Sequence, residues 1–259
     1  MYTSNAIPFT SRVRPNPNTA KPVKVALFGA SIMYNSYERT KEQVESDGKI
    51  ELRNYSVCGQ TSDEALARID EIAQSDADVV VLCHGGNDVI KKLFKGFINN
   101  LSNAWNSISG GEQTPYDGLQ QEIKSNISTM IETLQDAGKE VVLIGVDPTQ
   151  TLRLMFNIAP PREDAGFAKT MQEKVFSFLN NINSIFPALK EEHGILFYKH
   201  SLYEELAQED IPERTDVHPT QEGYNKIADG LAPIIREAAI HVRANRMAAR
   251  SADMGISAA

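Results

Sequence analysis

Four short segments of this chain carry residue types suited to nucleophilic, general-base and oxyanion-stabilising chemistry. Ser31 lies in FGASIM, two residues after Gly29 and directly beyond an apolar run. A hydroxyl at the end of a buried strand becomes a nucleophile once a neighbouring base takes its proton. The plainer role for Ser31 is a helix N-cap, where serine is favoured. Met33 occupies the place where a G-x-S-x-G elbow needs its second glycine, so the α/β-hydrolase elbow is not supported. His218, in TDVHPT, precedes a helix-compatible stretch, and Pro219 and Thr220 suit a rigid turn into it. An imidazole held at such a rim can act as general base, with Asp216 as candidate for orienting it through Nδ1. The plain alternative is a surface-loop histidine. Asn87 and Gly86, in HGGND, offer a side-chain amide and a backbone N–H to a developing oxyanion. One such donor typically contributes about 2.7–4 kcal/mol of transition-state stabilisation. A turn built from residues that tolerate unusual dihedrals is the competing explanation. Gly59, in SVCGQTS, adds a further unobstructed backbone N–H.

Something must bring these segments together, and the chain pattern supplies it. Short apolar runs at 23–29, 50–57, 78–86, 139–146 and 194–199 read as strands. Helix-compatible stretches follow at 36–47, 62–75, 118–137, within 168–192 and at 220–243, with Gly138 just past the third as a C-cap. Ser62 opens the second stretch as a simple cap, with Ala65 rather than Glu three residues on. Strands alternating with helices predict an α/β three-layer sandwich around a central five-stranded parallel sheet. Candidate residues then fall at several strand ends on one edge, where open α/β sheets place their sites. Residues 1–22 read as an N-terminal arm, 23–243 as one domain and 244–259 as a C-terminal tail. Two connections, 93–117 and 147–167, are long enough to be binding loops or lids. The second carries Leu154, Met155 and Phe156, which would line an apolar acyl pocket or anchor the loop to the core.

At 259 residues the chain can bury one sizeable core. Its 26 basic and 34 acidic residues give a net charge of −8, which argues against nucleic acid or an anionic membrane surface as the main partner. No run reaches the length of a membrane span, and no secretory signal is recognisable, so a cytoplasmic location is expected unless export takes another route. Cys58 and Cys83 read as two buried thiols in a reducing compartment, although a cross-strand disulfide is not excluded by sequence. His84 reads as a hydrogen-bonded core histidine, and Asp88 as a brace for the GGND turn or the Ser31 loop. No metal-ligand or nucleotide-binding motif is present, so no cofactor is expected.

Taken in order and setting, FGAS, Gly59, GGND and DVHP resemble the four blocks of the SGNH/GDSL hydrolases, over roughly residues 23–235. The resemblance implies a flavodoxin-like sandwich and a serine esterase. Ser31 would attack an ester carbonyl, and His218 would serve as base and then acid. The Ser31 and Gly59 backbone N–H groups with the Asn87 side chain would form the oxyanion hole. Substrates would range from acetylated carbohydrates through short-chain esters to lipid esters. Two positions depart from the family pattern. Ala30 stands where an Asp is usual between Gly and Ser, and Thr215 stands at the usual acid position, with Asp216 one residue later. Glu213 or a backbone carbonyl would substitute for Asp216 in a Ser–His dyad. The same site on an O-acyltransferase, or a catalytically silent binding module that keeps the fold, are the alternatives.

Overall fold

The computed structural model describes residues 21–91, 118–146, 180–202, 206–211 and 218–253. Five strands, β1 (Val23–Gly29), β2 (Ile50–Asn54), β3 (Val79–Cys83), β4 (Glu140–Gly145) and β5 (Leu196–Ser201), form one sheet in the order β2-β1-β3-β4-β5. All neighbours pair in parallel, with Val25 beside both Leu52 and Val79. Runs such as VKVALFG suit this position because both faces of a parallel strand are covered. Along β1, Val25 and Leu27 enter one core, while Ala26 and Phe28 enter the other.

The first core is closed by α1 (Ser31–Glu45) and α6 (Gln221–Asp253), through residues such as Met33, Val44, Ile227 and Leu231. The second is closed by α2 (Ser62–Leu66), α3 (Ile69–Ala73), α4 (Leu119–Asp136) and α5 (Ile185–His193). This is the expected α/β three-layer sandwich. The strand order reverses direction between β1 and β3, which opens a crevice at the C-terminal ends of those two strands.

Several boundaries differ from the sequence expectation, for identifiable reasons. The first helix starts at Ser31 itself rather than near residue 36. The stretch 62–75 is broken into α2 and α3 at Arg68, whose guanidinium turns back to the Tyr55 carbonyl at 3.2 Å. Gly138 follows α4 with φ of 73°, and Lys139 N donates to the Leu134 carbonyl at 2.9 Å, as a Schellman-type ending requires. The last helix runs through Asp253 instead of ending at 243, and Arg246 on the extension pairs with Asp78, just before the central strand β3. Among the described residues, no helix is long and apolar enough to cross a membrane.

Gly29 joins β1 to α1, and its requirement is space rather than an unusual dihedral. A Cβ there would sit 2.6 Å from Met33 Cγ and 3.1 Å from the Cys83 carbonyl oxygen. Met33 is fully buried and Cys83 is the register partner of Gly29, so neither has room to withdraw. Gly29→Ala is therefore expected to lower the unfolding free energy by about 1–3 kcal/mol, as overpacking does. Urea titration checks this, and an unchanged midpoint would mean that the β1–α1 turn has slack.

Candidate active site

Ser31 is the first residue of α1, and Ala30 is the N-cap, with no side-chain cap hydrogen bond. The serine hydroxyl is thus not consumed by capping, which removes the plain role that the sequence offered. As a first-turn residue, Ser31 also has a backbone N–H without an intrahelical acceptor. The residue is 7% exposed, at the crevice between β1 and β3. The turn beneath it is fixed by the β2 exit loop: Gly29 N donates to Ser56 Oγ at 3.2 Å, and Val57 N donates to the Gly29 carbonyl at 3.1 Å.

Beyond β3, Gly85 adopts φ of 109°, a conformation that favours glycine, and a helical turn follows over residues 86–91. Asn87 and Asp88 both reach across to the loop after β2. Asn87 Nδ2 donates to the Gln60 carbonyl at 3.0 Å. An amide nitrogen carries two N–H donors, so a second remains for another acceptor. Asp88 accepts from Ser62 N at 2.9 Å and from Ser62 Oγ at 2.6 Å, while Asn126 Nδ2 donates to the same hydroxyl at 3.0 Å. Burial raises the Asp88 carboxyl above its ordinary value, and the Ser62 hydroxyl and amide oppose that. The brace expected of Asp88 therefore acts on the start of α2, and through it on the Gly59 loop. The cap of α2 is Thr61, one residue earlier than expected, and Glu64 completes a capping box with its Oε2 accepting from Thr61 N at 2.8 Å. That bond comes first, with Lys91 adding to it, in holding the Glu64 carboxyl down to about 2.

The cleft brings together Ser31, Gln60, His84 and Asn87 against an apolar wall that includes Ile90 and Leu202. Gly59 is adjacent, at φ of 74° with open space around it, but it does not line the cleft. Gln60, Ile90 and Leu202 are cleft residues that the sequence does not single out; for Gln60 the signal is its position next to Gly59. Cys83 is also in the wall; burial pushes its thiol up to about 12. Both cysteines are free, and Cys58 is exposed rather than buried as expected.

His218 stands two residues before Thr220, which caps α6: Gly223 N donates to Thr220 Oγ1 at 3.1 Å. The helix expected after Pro219 and Thr220 is present, beginning at Gln221. Alongside, α1 and α6 run parallel, tied by Asn35 Nδ2 to Tyr224 Oη at 2.8 Å, by Gln43 to Asp229, and by Arg236 to the Gln43 carbonyl at 2.7 Å. Ser31 and His218 therefore both lie at the starting ends of two paired helices. His218 is half-buried and is not among the residues lining the cleft. Asp216, Thr215, Glu213, Leu154, Met155 and Phe156 lie outside the described residues.

The sequence profile of the GDSL-like Lipase/Acylhydrolase family matches residues 27–226, well over half of the chain. The chain belongs to this family. No curated protein sequence matches it. Among solved structures, it is similar to TesA, with 16% identity and a TM-score of 0.56 over 83% of this chain and 99% of that one. It is similar at 16% identity and the same TM-score to the psychrotrophic esterase EstA from Pseudoalteromonas sp., covering 83% and 97% of the two chains. A GDSL-like lipase from Bacteroides thetaiotaomicron VPI-5482 shares 19% identity, with a TM-score of 0.54 over 86% and 94%. At these identities the likeness is one of fold.

His84 departs from expectation in a way that has a measurable consequence. It is 2% exposed, its ring meets Phe28 edge-on at 4.9 Å, and neither ring nitrogen has a hydrogen-bond partner among the described residues. The expected core histidine is there, but not the expected hydrogen bond. Burial above all, with the nearby Arg68 charge, lowers its pKa from 6.5 to about 3. Between these values the unfolded chain binds a proton that the native ring refuses, so stability is whole above pH 6.5 and declines as pH falls toward 3. His84→Leu removes that proton and the two orphaned nitrogens. Its urea midpoint is expected to fall less than the wild-type midpoint between pH 7 and pH 4. An identical decline in both proteins would show that the ring is solvated or partnered.

Proposed function

We propose that this protein is a serine hydrolase that cleaves carboxylic esters through an acyl-enzyme on Ser31. The observation that carries the reading is the shared cleft of Ser31 and Asn87 at the switch point of the sheet, with Ser31 the first residue of α1. His218 takes the serine proton as Oγ attacks the acyl carbonyl, and returns it to the departing alcohol. The oxyanion that forms is met by the second N–H of the Asn87 amide and by the Ser31 backbone N–H, with Gly59 N–H as third donor. The positive end of α1 favours the same charge. Water then attacks the acyl-enzyme, again with His218 as base. Asp216 orients the imidazole in this reading, and a dyad completed by a backbone carbonyl works by the same route. No step needs a metal ion or other cofactor.

The substrate is a small ester: an acetylated carbohydrate, a short-chain ester or a lipid ester. The apolar wall of Ile90 and Leu202 supports an acyl group seated beside Ser31. Two free thiols are compatible with a reducing, cytoplasmic location. Hydrolysis of p-nitrophenyl esters tests the reading. Ser31→Ala and His218→Ala are expected to lose activity almost completely, and Asp216→Ala to lose less. Asn87→Ala is expected to lower kcat by about a hundred- to a thousandfold with KM little changed, as loss of an oxyanion donor does. Activity surviving Ser31→Ala would sink the mechanism. Turnover of acetate alone across a chain-length series would rule out an extended apolar acyl pocket.

A further inference from the structure

Outside the cleft, the most completely buried charged group among the described residues is Asp210, at 2% exposure, and nothing in the reaction above uses it. It closes the short helical turn Gln208–Asp210. Its carboxylate accepts from Ala207 N at 2.7 Å and from Lys226 Nζ through both oxygens, at 3.0 and 2.8 Å. Its backbone carbonyl accepts from Thr220 N at 2.7 Å. Side chain and main chain of one residue thus grip both the start of α6 and the cap that follows His218.

The packing around this residue is equally tight. A Cβ on Gly223 would lie 2.7 Å from Pro219 Cβ and 3.2 Å from Asp210 Cβ, so the first turn of α6 is pressed directly onto Pro219, the neighbour of His218, and onto Asp210. One residue further on, Tyr224 Oη accepts from Asn35 Nδ2, on the helix that begins with Ser31. A continuous path therefore runs from Asp210 and Lys226 through Thr220 and Tyr224 to the nucleophile's helix.

We infer that the Asp210–Lys226 pair is the positioning device for His218, fixing the turn that carries the imidazole at a set height over Ser31. This rests on the reading of His218 as general base. Burial by itself disfavours the Asp210 carboxylate, but the Lys226 ammonium and the Ala207 N–H outweigh it and keep the group charged. The ammonium is the exposed partner, with 35% of its side chain accessible against 3% for Asp210. Removing the carboxylate charge thus lets Lys226 return to water without leaving a buried ion, and the fold survives. What is lost is the grip on the turn, and small misplacements of a catalytic group are costly in rate.

The test combines kinetics with amide exchange on Asp210→Asn, Lys226→Met and Lys226→Arg. Asp210→Asn and Lys226→Met are expected to lower kcat on p-nitrophenyl butyrate roughly ten- to a hundredfold, as a displaced group does, with KM nearly constant. Lys226→Arg restores most of kcat because it restores the ion pair. Amide exchange over 218–224 is expected to quicken in the first two variants, while that of α1 does not. A folded Asp210→Asn protein with wild-type kcat and unchanged exchange over 218–224 overturns the inference. So does a loss confined to thermal stability. If Ser31→Ala keeps wild-type activity, the esterase reading fails separately, and exchange over 218–224 alone then decides whether the pair holds the turn.

Discussion

The side-by-side packing of α1 and α6 on one face of the sheet is the constraint on which the rest depends. It is a parallel pairing, tied in sequence order by Asn35 to Tyr224, Gln43 to Asp229 and the Gln43 carbonyl to Arg236. Apolar contact fills the space beneath, with Met33 and Val44 against the α6 residues Ile227, Leu231 and Ile235, all buried. Because both helices start at the same edge, a serine that opens one and a histidine that precedes the other arrive there from opposite ends of the chain. Each buried aliphatic side chain in that seam contributes roughly 1.5–3 kcal/mol of transfer free energy, so the core sets how the two helices lie against each other.

The opposite wall of the site is built from polar ties. Asp88 anchors Ser62, and Asn87 anchors Gln60, so the loop after β2 is fixed to the end of β3. These bonds are sheltered from water, where an unmatched partner costs about 1–3 kcal/mol. The result is a cleft whose donors are held in place before any ligand arrives, which is the condition for electrostatic preorganisation. His84, in the wall of the same cleft, is an unsatisfied group whose ring is kept neutral by burial and meets Phe28 edge-on.

The strands were legible because each is a short run of Val, Ile and Leu with both faces covered, and GGND was legible because it ends the most apolar of them. That Ser31 and Asn87 line one cleft follows from those strand ends. The helix starts were harder to place. Position 31 opens α1 behind an alanine cap, and Thr61 rather than Ser62 caps α2 through Glu64, a pairing visible only when the register is moved by one residue. The break at Arg68 depends on a carbonyl across the loop, and the Asp210–Lys226 pair links an irregular segment to a helix, so neither leaves a periodic trace. The departures at Ala30 and Asp216 have different standing. Ala30 stands at the N-cap of α1 without a side-chain bond, while Asp216 lies outside the described residues.

The esterase account turns on whether the hydroxyl at position 31 is activated by the imidazole at 218. Peptide mapping by mass spectrometry after treatment with a fluorophosphonate measures this directly. One covalent adduct is expected, on Ser31, with a rate of formation that collapses in His218→Ala while the protein remains folded. An unmodified Ser31 in the wild-type protein, or labelling at the same rate without the histidine, would contradict it.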